Sequence, residues 1–199
     1  MKEETPVVLR EDLPKFSMPE KIVGESVILV PRTEAYDEAL WRLIDRSRVF
    51  LRPYLFWVDG TRSVADVHKI SLSFYKNFQE QNFFEYVFLD KQTKKLVGAG
   101  GAHTVLYNKR QAEFGYYRDV EASGKGYVSE AVSLLAKELF ARGIHRLVIK
   151  CDVENIASAA VAKRCGLTCE GVAKDGIYVY GEYDDDYVFA KINGEKNNA

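Results

Sequence analysis

The spacing of apolar residues along this chain changes several times, and each change marks an element. "ESVILVPR" (25–32) is a short apolar run rich in β-branched residues, as in a strand. After it Tyr36, Leu40, Leu43 and Ile44 recur at helical spacing, with Thr33 positioned as a cap. A second helix is predicted over "VADVHKISLSFYKNFQEQ" (64–81), with Val67, Ile70, Phe74 and Phe78 as its stripe. "FEYVFLD" (84–90) and "KLVGAGGAHTV" (95–105) are β-rich and joined by the polar turn "KQTKK", a hairpin signal. "QAEFGYYRDV" (111–120) is a further strand, followed by a helix that runs up to Gly143. In "HRLVIKCDV" (145–153), Leu147, Ile149, Cys151 and Val153 share one face. "NIASAAVAKRCG" (155–166) is a short helix, and "YVYGEYDDDYVFAKI" (178–192) supplies closing β-structure.

The predicted order is strand, two helices, a three-stranded meander, helix, strand, helix, strand. That is mixed α/β, antiparallel in front and strand–helix–strand behind. With 199 residues and 47% hydrophobic composition, the chain suits a single compact domain. Residues 1–21 lack periodicity and read as an extension, 22–192 as the domain, and 193–199 as a disordered tail. A net charge of −1 gives no general pull toward nucleic acid or an anionic membrane. No apolar run approaches a membrane span, and acids and prolines occupy the start where a signal peptide would be apolar. A cytoplasmic protein is the expectation. Cys151, Cys165 and Cys169 form no CxxC pair and have no histidines near enough for a zinc set, so reduced thiols and no metal are expected.

One stretch, "ASGKGYVSEA" (122–131), puts two glycines directly before a helix. A helix start carries unpaired N–H groups and partial positive charge, and bare glycines let an anion reach them. Gly124 and Gly126 would give access. Lys125, Tyr127 and Val128 would supply amides, and Ser129 a hydroxyl. The same spacing also reads as a plain turn before a helix. It is neither GxxxxGK[ST] nor GxGxxG, and "GAGGAH" (98–103) fails the latter too.

Four segments together resemble the GNAT superfamily of N-acetyltransferases, and within it the RimJ/RimL-type branch that acetylates ribosomal-protein N-termini. They are "LRPYLFWV" (51–58), "AEFGYYRD" (112–119), "SGKGYVSEAV" (123–132) and "VIKCDVENIASAAVAKRCGLTCEG" (148–171). The resemblance implies a mostly antiparallel sheet splayed into a V, with acetyl-CoA lying in the opening as co-substrate. The family's acyl-CoA motif, Q/R-x-x-G-x-G/A, falls on Ser123–Val128: Gly126 matches, while Ser123 and Val128 depart from it. The strand Phe114–Arg118 corresponds to the family's bulged strand, whose backbone pairs with pantetheine; Phe114 and Tyr116 are thus cofactor-binding candidates.

The resemblance also implies direct transfer in a ternary complex. Ser158 would protonate the leaving thiolate, and Asn155 would hold the loop or a cofactor amide. At the branch's glutamate position this chain has Ile177. Glu113 is the substitute candidate for the base, with Glu170 and the run Asp184–Asp186 as further acids. The expected acceptor is a protein α-amine, whose pKa near 8 requires only a weak base. Two alternatives stay open: a small amine such as a polyamine or an aminoglycoside, and a catalytically silent acyl-CoA-binding module. Tyr54, Phe56 and Trp57 are either a plug over the core or a wall of the acceptor groove. The resemblance leaves a homodimer open.

Overall fold

The computed structural model describes residues 13–194; the rest of the predicted extension and tail lies outside them. Eight strands form one sheet: β1 (Ile22–Val23), β2 (Val27–Pro31), β3 (Phe84–Asp90), β4 (Leu96–Leu106), β5 (Gln111–Arg118), β6 (Arg146–Asp152), β7 (Thr168–Val179) and β8 (Glu182–Ile192). Their order is β1-β2-β3-β4-β5-β6-β8-β7, and only β5 and β6 pair in parallel. Four helices cover the faces: α1 (Asp37–Leu51), α2 (Val64–Gln79), α3 (Tyr127–Ala141) and α4 (Ile156–Arg164). This is the mixed α/β arrangement that the pattern predicts and the mostly antiparallel sheet that the resemblance implies.

Strand alternation sorts the core into two layers. Phe84, Tyr86 and Phe88 of β3 pack with Val132 and Leu135 of α3, while Val87 and Leu89 pack with Leu40 and Leu43 of α1. With both faces covered, Phe84–Leu89 is buried without a break, so β3 reads as a continuous apolar run. Residues 13–21 lie against the same body. Phe16 stacks on Phe84 at 5.7 Å, Met18 is buried, and the Tyr86 hydroxyl donates to the Pro19 carbonyl at 2.6 Å.

Three local expectations are corrected. Thr33 makes no capping hydrogen bond; the chain first takes a 3-10 turn, Glu34–Tyr36, before α1 begins. β7 was not anticipated as a strand. It is an exposed edge strand with register slips after Cys169 and Ala173, and therefore lacks the alternation that burial imposes. The irregularity expected along Phe114–Arg118 sits on β4 instead, between Ala102 and Thr104. There His103 is the extra residue. Its Nε2 lies 2.8 Å from the buried Glu85 carboxylate and its ring lies over Gly115, so the bulge is anchored on β4 while β5 stays regular.

One feature of the sheet creates the site. β5 and β6 pair only from Gln111↔Arg146 to Phe114↔Ile149. Beyond that point β5 continues along β4 to Arg118, and β6 continues along β8 to Asp152. The sheet therefore opens between Gly115–Arg118 and Lys150–Asp152.

Candidate active site

The opening leads into a cavity of about 850 Å3. At one mouth stands the start of α3. Gly126 caps it in the left-handed conformation (φ 78°), and Gly124 shares that conformation (φ 76°). A Cβ at either glycine would meet nothing within 4 Å. The glycines are thus required by backbone conformation, and they leave the first turn bare. Among the described residues, no backbone carbonyl accepts from the amides of Gly124–Ser129. Gly124, Gly126, Tyr127, Val128 and Ser129 line the cavity, whereas the exposed Lys125 is outside its lining. The Tyr127 hydroxyl donates to Asp90, and Ser129 Oγ accepts from Arg164 Nε at 3.1 Å. Arg164 also lines the cavity, so a guanidinium stands beside the bare amides.

The face of the opening toward α3 and α4 carries Phe114, Tyr116, Ser158 and Asn155. Phe114 is buried in the core and serves as floor. Asn155 caps α4, its Oδ1 accepting from the Ser158 amide at 3.0 Å. This fixes Ser158 in the first turn, where its Oγ lies 3.0 Å from the Tyr116 hydroxyl. Burial pushes the Tyr116 phenol up, and its bond with Ser158 opposes only part of that shift. The pair is therefore neutral at physiological pH and has protons to donate. Cys151 lines the same pocket, and burial pushes its thiol up as well, so it is a poor nucleophile there.

The opposite face is charged. Glu113, Lys150, Asp152 and Asp186 all line the cavity. Alternation puts them on one side: Phe114, Ile149, Cys151 and Phe189 point into the α3 layer, so their neighbours point away from it. Glu113 forms an ion pair with Lys150 Nζ at 3.0 Å. His103, oriented by Glu85, lines this side too. Tyr54 and Phe56 form part of the rim, whereas Trp57 packs edge-on against Tyr117 at 5.2 Å, so the aromatic loop is both wall and plug. Two of the candidate acids lie elsewhere in their bonding: Glu170 is paired with Arg146, and Asp185 with Lys174 at 2.6 Å.

The sequence reading missed the bond between Tyr116 and Ser158, the His103–Glu85 pair, and Lys150. Only Lys150 had a signal, a lone charge between Ile149 and Cys151 in a buried strand.

The family model described as "Acetyltransferase (GNAT) domain" matches residues 26–168. This chain belongs to the GNAT acetyltransferase family. As a GNAT enzyme it is an acetyl-CoA-dependent N-acetyltransferase. It is 29% identical over 171 residues to the ribosomal-protein-serine acetyltransferase of Escherichia coli K12, covering 85% of this chain and 94% of that protein. It is 26% identical over 156 residues to the ribosomal protein uS5-alanine N-acetyltransferase of the same organism, covering 75% and 80%. Among solved structures, RimL, the ribosomal L7/L12 α-N-protein acetyltransferase in complex with coenzyme A, superposes with a TM-score of 0.80 at 27% identity, covering 92% of this chain and 98% of that one. The microcin C7 self immunity acetyltransferase MccE, with acetyl-CoA and AMP, gives 0.83 at 26%, covering 88% and 97%. No helix among the described residues is long and apolar enough to cross a membrane.

Proposed function

We propose that this GNAT enzyme acetylates the N-terminal α-amine of a protein, with a ribosomal protein as the acceptor class. The observation that carries this reading is the two-sided opening at Phe114/Ile149. One mouth offers bare helix amides and Arg164 to an anion; the other offers carboxylates to a cation. The cofactor diphosphate would rest on the amides of Gly124–Ser129, with the helix dipole adding to the attraction. The pantetheine arm would run between β5 and β6, taking the hydrogen bonds of Gly115–Arg118 that no strand takes, and the thioester would reach Tyr116 and Ser158. Ser158 would then protonate the departing thiolate, relayed from the Tyr116 hydroxyl. The domain of residues 22–192 acts as a single unit in this reading, in the cytoplasm where its acceptor is found.

On the acceptor side Glu113, Asp152 and Asp186 outnumber Lys150, so the field favours an ammonium group. Glu113 helps to set that field; its pairing with Lys150 suits it less to taking a proton. The protein-acceptor reading draws on the two E. coli relatives, both named for ribosomal-protein acceptors. A small-amine acceptor is the second reading; MccE is described with a small molecule, AMP, beside acetyl-CoA.

The test is thiol release from acetyl-CoA with peptides matching ribosomal-protein N-termini that begin with serine or alanine. Release is expected with the free peptide and lost when its N-terminus is already acetylated. Release with polyamines alone would reject the protein acceptor, and no release with any amine would reject the enzyme.

A further inference from the structure

A buried carboxylate at the acceptor mouth accepts no hydrogen bond among the described residues. Asp186 is 6% exposed, and its Oδ1 is fully buried without a hydrogen-bond partner among the described residues. An unpartnered carboxylate in such a site costs several kcal/mol of solvation unless something pairs with it. The neighbouring acids differ: Glu113 holds Lys150, Asp185 holds Lys174, and Asp152 accepts from the Glu154 amide at 2.7 Å.

Two strands aim Asp186 at the cavity. Its register partner on β6 is Asp152, at the end of the segment where β6 has parted from β5. Behind it Gly176 of β7 has no side chain, and a Cβ there would stand 3.0 Å from the Asp186 Cβ. Any larger residue at 176 would crowd Asp186, so the glycine keeps room for it. Ile177, next along β7, lines the same cavity and is apolar.

We propose that Asp186 is the catalytic base, receiving the acceptor's ammonium group and removing its proton. This assignment rests on the acetyltransferase reading above and adds the residue that reading lacks. The ammonium would give one proton to the Asp186 carboxylate. The freed nitrogen lone pair then forms the C–N bond with the thioester carbonyl carbon. As the tetrahedral centre collapses, the C–S bond breaks and its electron pair leaves on sulfur. A second nitrogen proton replaces the one that Ser158 gives to the sulfur, the third remains on the amide, and Asp186 returns its proton to solvent.

The surroundings suit that task. Burial raises the Asp186 carboxyl above the ordinary range, Asp152 on β6, Glu113 on β5 and Asp184 on β8 add to the rise, and Lys150 on β6 opposes it. A raised carboxyl is a stronger base when ionised and is better matched to an α-amine.

The experiment compares wild type, Asp186→Asn and His103→Gln by kcat against pH, acetyl-CoA Kd and Tm, using whichever amine the wild type turns over. For Asp186→Asn we expect kcat to fall at least about tenfold. The acid limb should disappear while the cofactor Kd stays the same. Tm should hold or rise, because the substitution removes a buried unpaired charge; a merely structural aspartate would lower it. Wild-type kcat with its pH limb intact in Asp186→Asn, or a limb abolished by His103→Gln instead, would overturn the assignment while leaving the acetyltransferase reading untouched. A wild type that turns over no amine would overturn that reading itself, and this assignment with it.

Discussion

The Tyr116 hydroxyl lies 3.0 Å from the Ser158 hydroxyl and 3.2 Å from its carbonyl, and so links the open edge of β5 to the first turn of α4. Replacing Ser158 with Ala should lower kcat about tenfold or more with little change in cofactor Kd, because the hydroxyl acts on departing sulfur and not on the diphosphate. Tyr116→Phe keeps the ring in the core and should lower kcat less; single-turnover rates with a fixed peptide would rank the two. At this scale the sequence was informative about some residues only. Asn155 and Ser158 stood out only through the resemblance to the GNAT superfamily; a serine and an asparagine at a helix start are otherwise ordinary caps. Asp186 could not be told from Asp184 and Asp185, since strand pairing decides which of three consecutive acids faces the cleft. Nor could alternation in "EFGYYR" say which tyrosine would meet a serine 42 residues later.

Among the elements, β4 shows how closely the sheet is fitted. A Cβ on Gly101 would sit 1.7 Å from the Phe84 carbonyl oxygen, an atom that cannot move without parting β3 from β4. Gly101→Ala should therefore cost at least about 3 kcal/mol, read as a drop in the urea midpoint. Gly126→Ala is a different case. Space is free around it, but its left-handed backbone would cost roughly 1–2 kcal/mol. The two substitutions should separate in assays: the first mainly lowers stability, the second mainly weakens cofactor binding. Helices were legible because one buried face imposes a period on the sequence, and central strands because two covered faces give unbroken apolar runs. β7 was not, because an exposed edge imposes none.

For the molecule as a whole, the polar links between α3 and the sheet depend on carboxylates. The amide of Thr93, then the Tyr127 hydroxyl, draw the Asp90 carboxyl down to about 2. Glu130 is also lowered, since bonds from the Ser26 hydroxyl and from the Ser26 and Glu25 amides outweigh its burial. A carboxyl lower in the folded state than in the unfolded chain stabilises fully above the unfolded value, near about 4, and loses that contribution as pH falls through the folded value. Stability should thus decline from about pH 4 to about pH 2, and Asp90→Asn should flatten part of that slope in thermal melts followed by circular dichroism. The sheet they support has a consequence of its own. Where β5 and β6 part, the protein keeps two strand margins, Gly115–Arg118 and Lys150–Asp152, that do not pair with each other. In the proposed reading a slender donor carrying peptide-like amides would thread between them. Each turnover would then stitch an interrupted sheet with a temporary extra strand and unpick it again when the product departs.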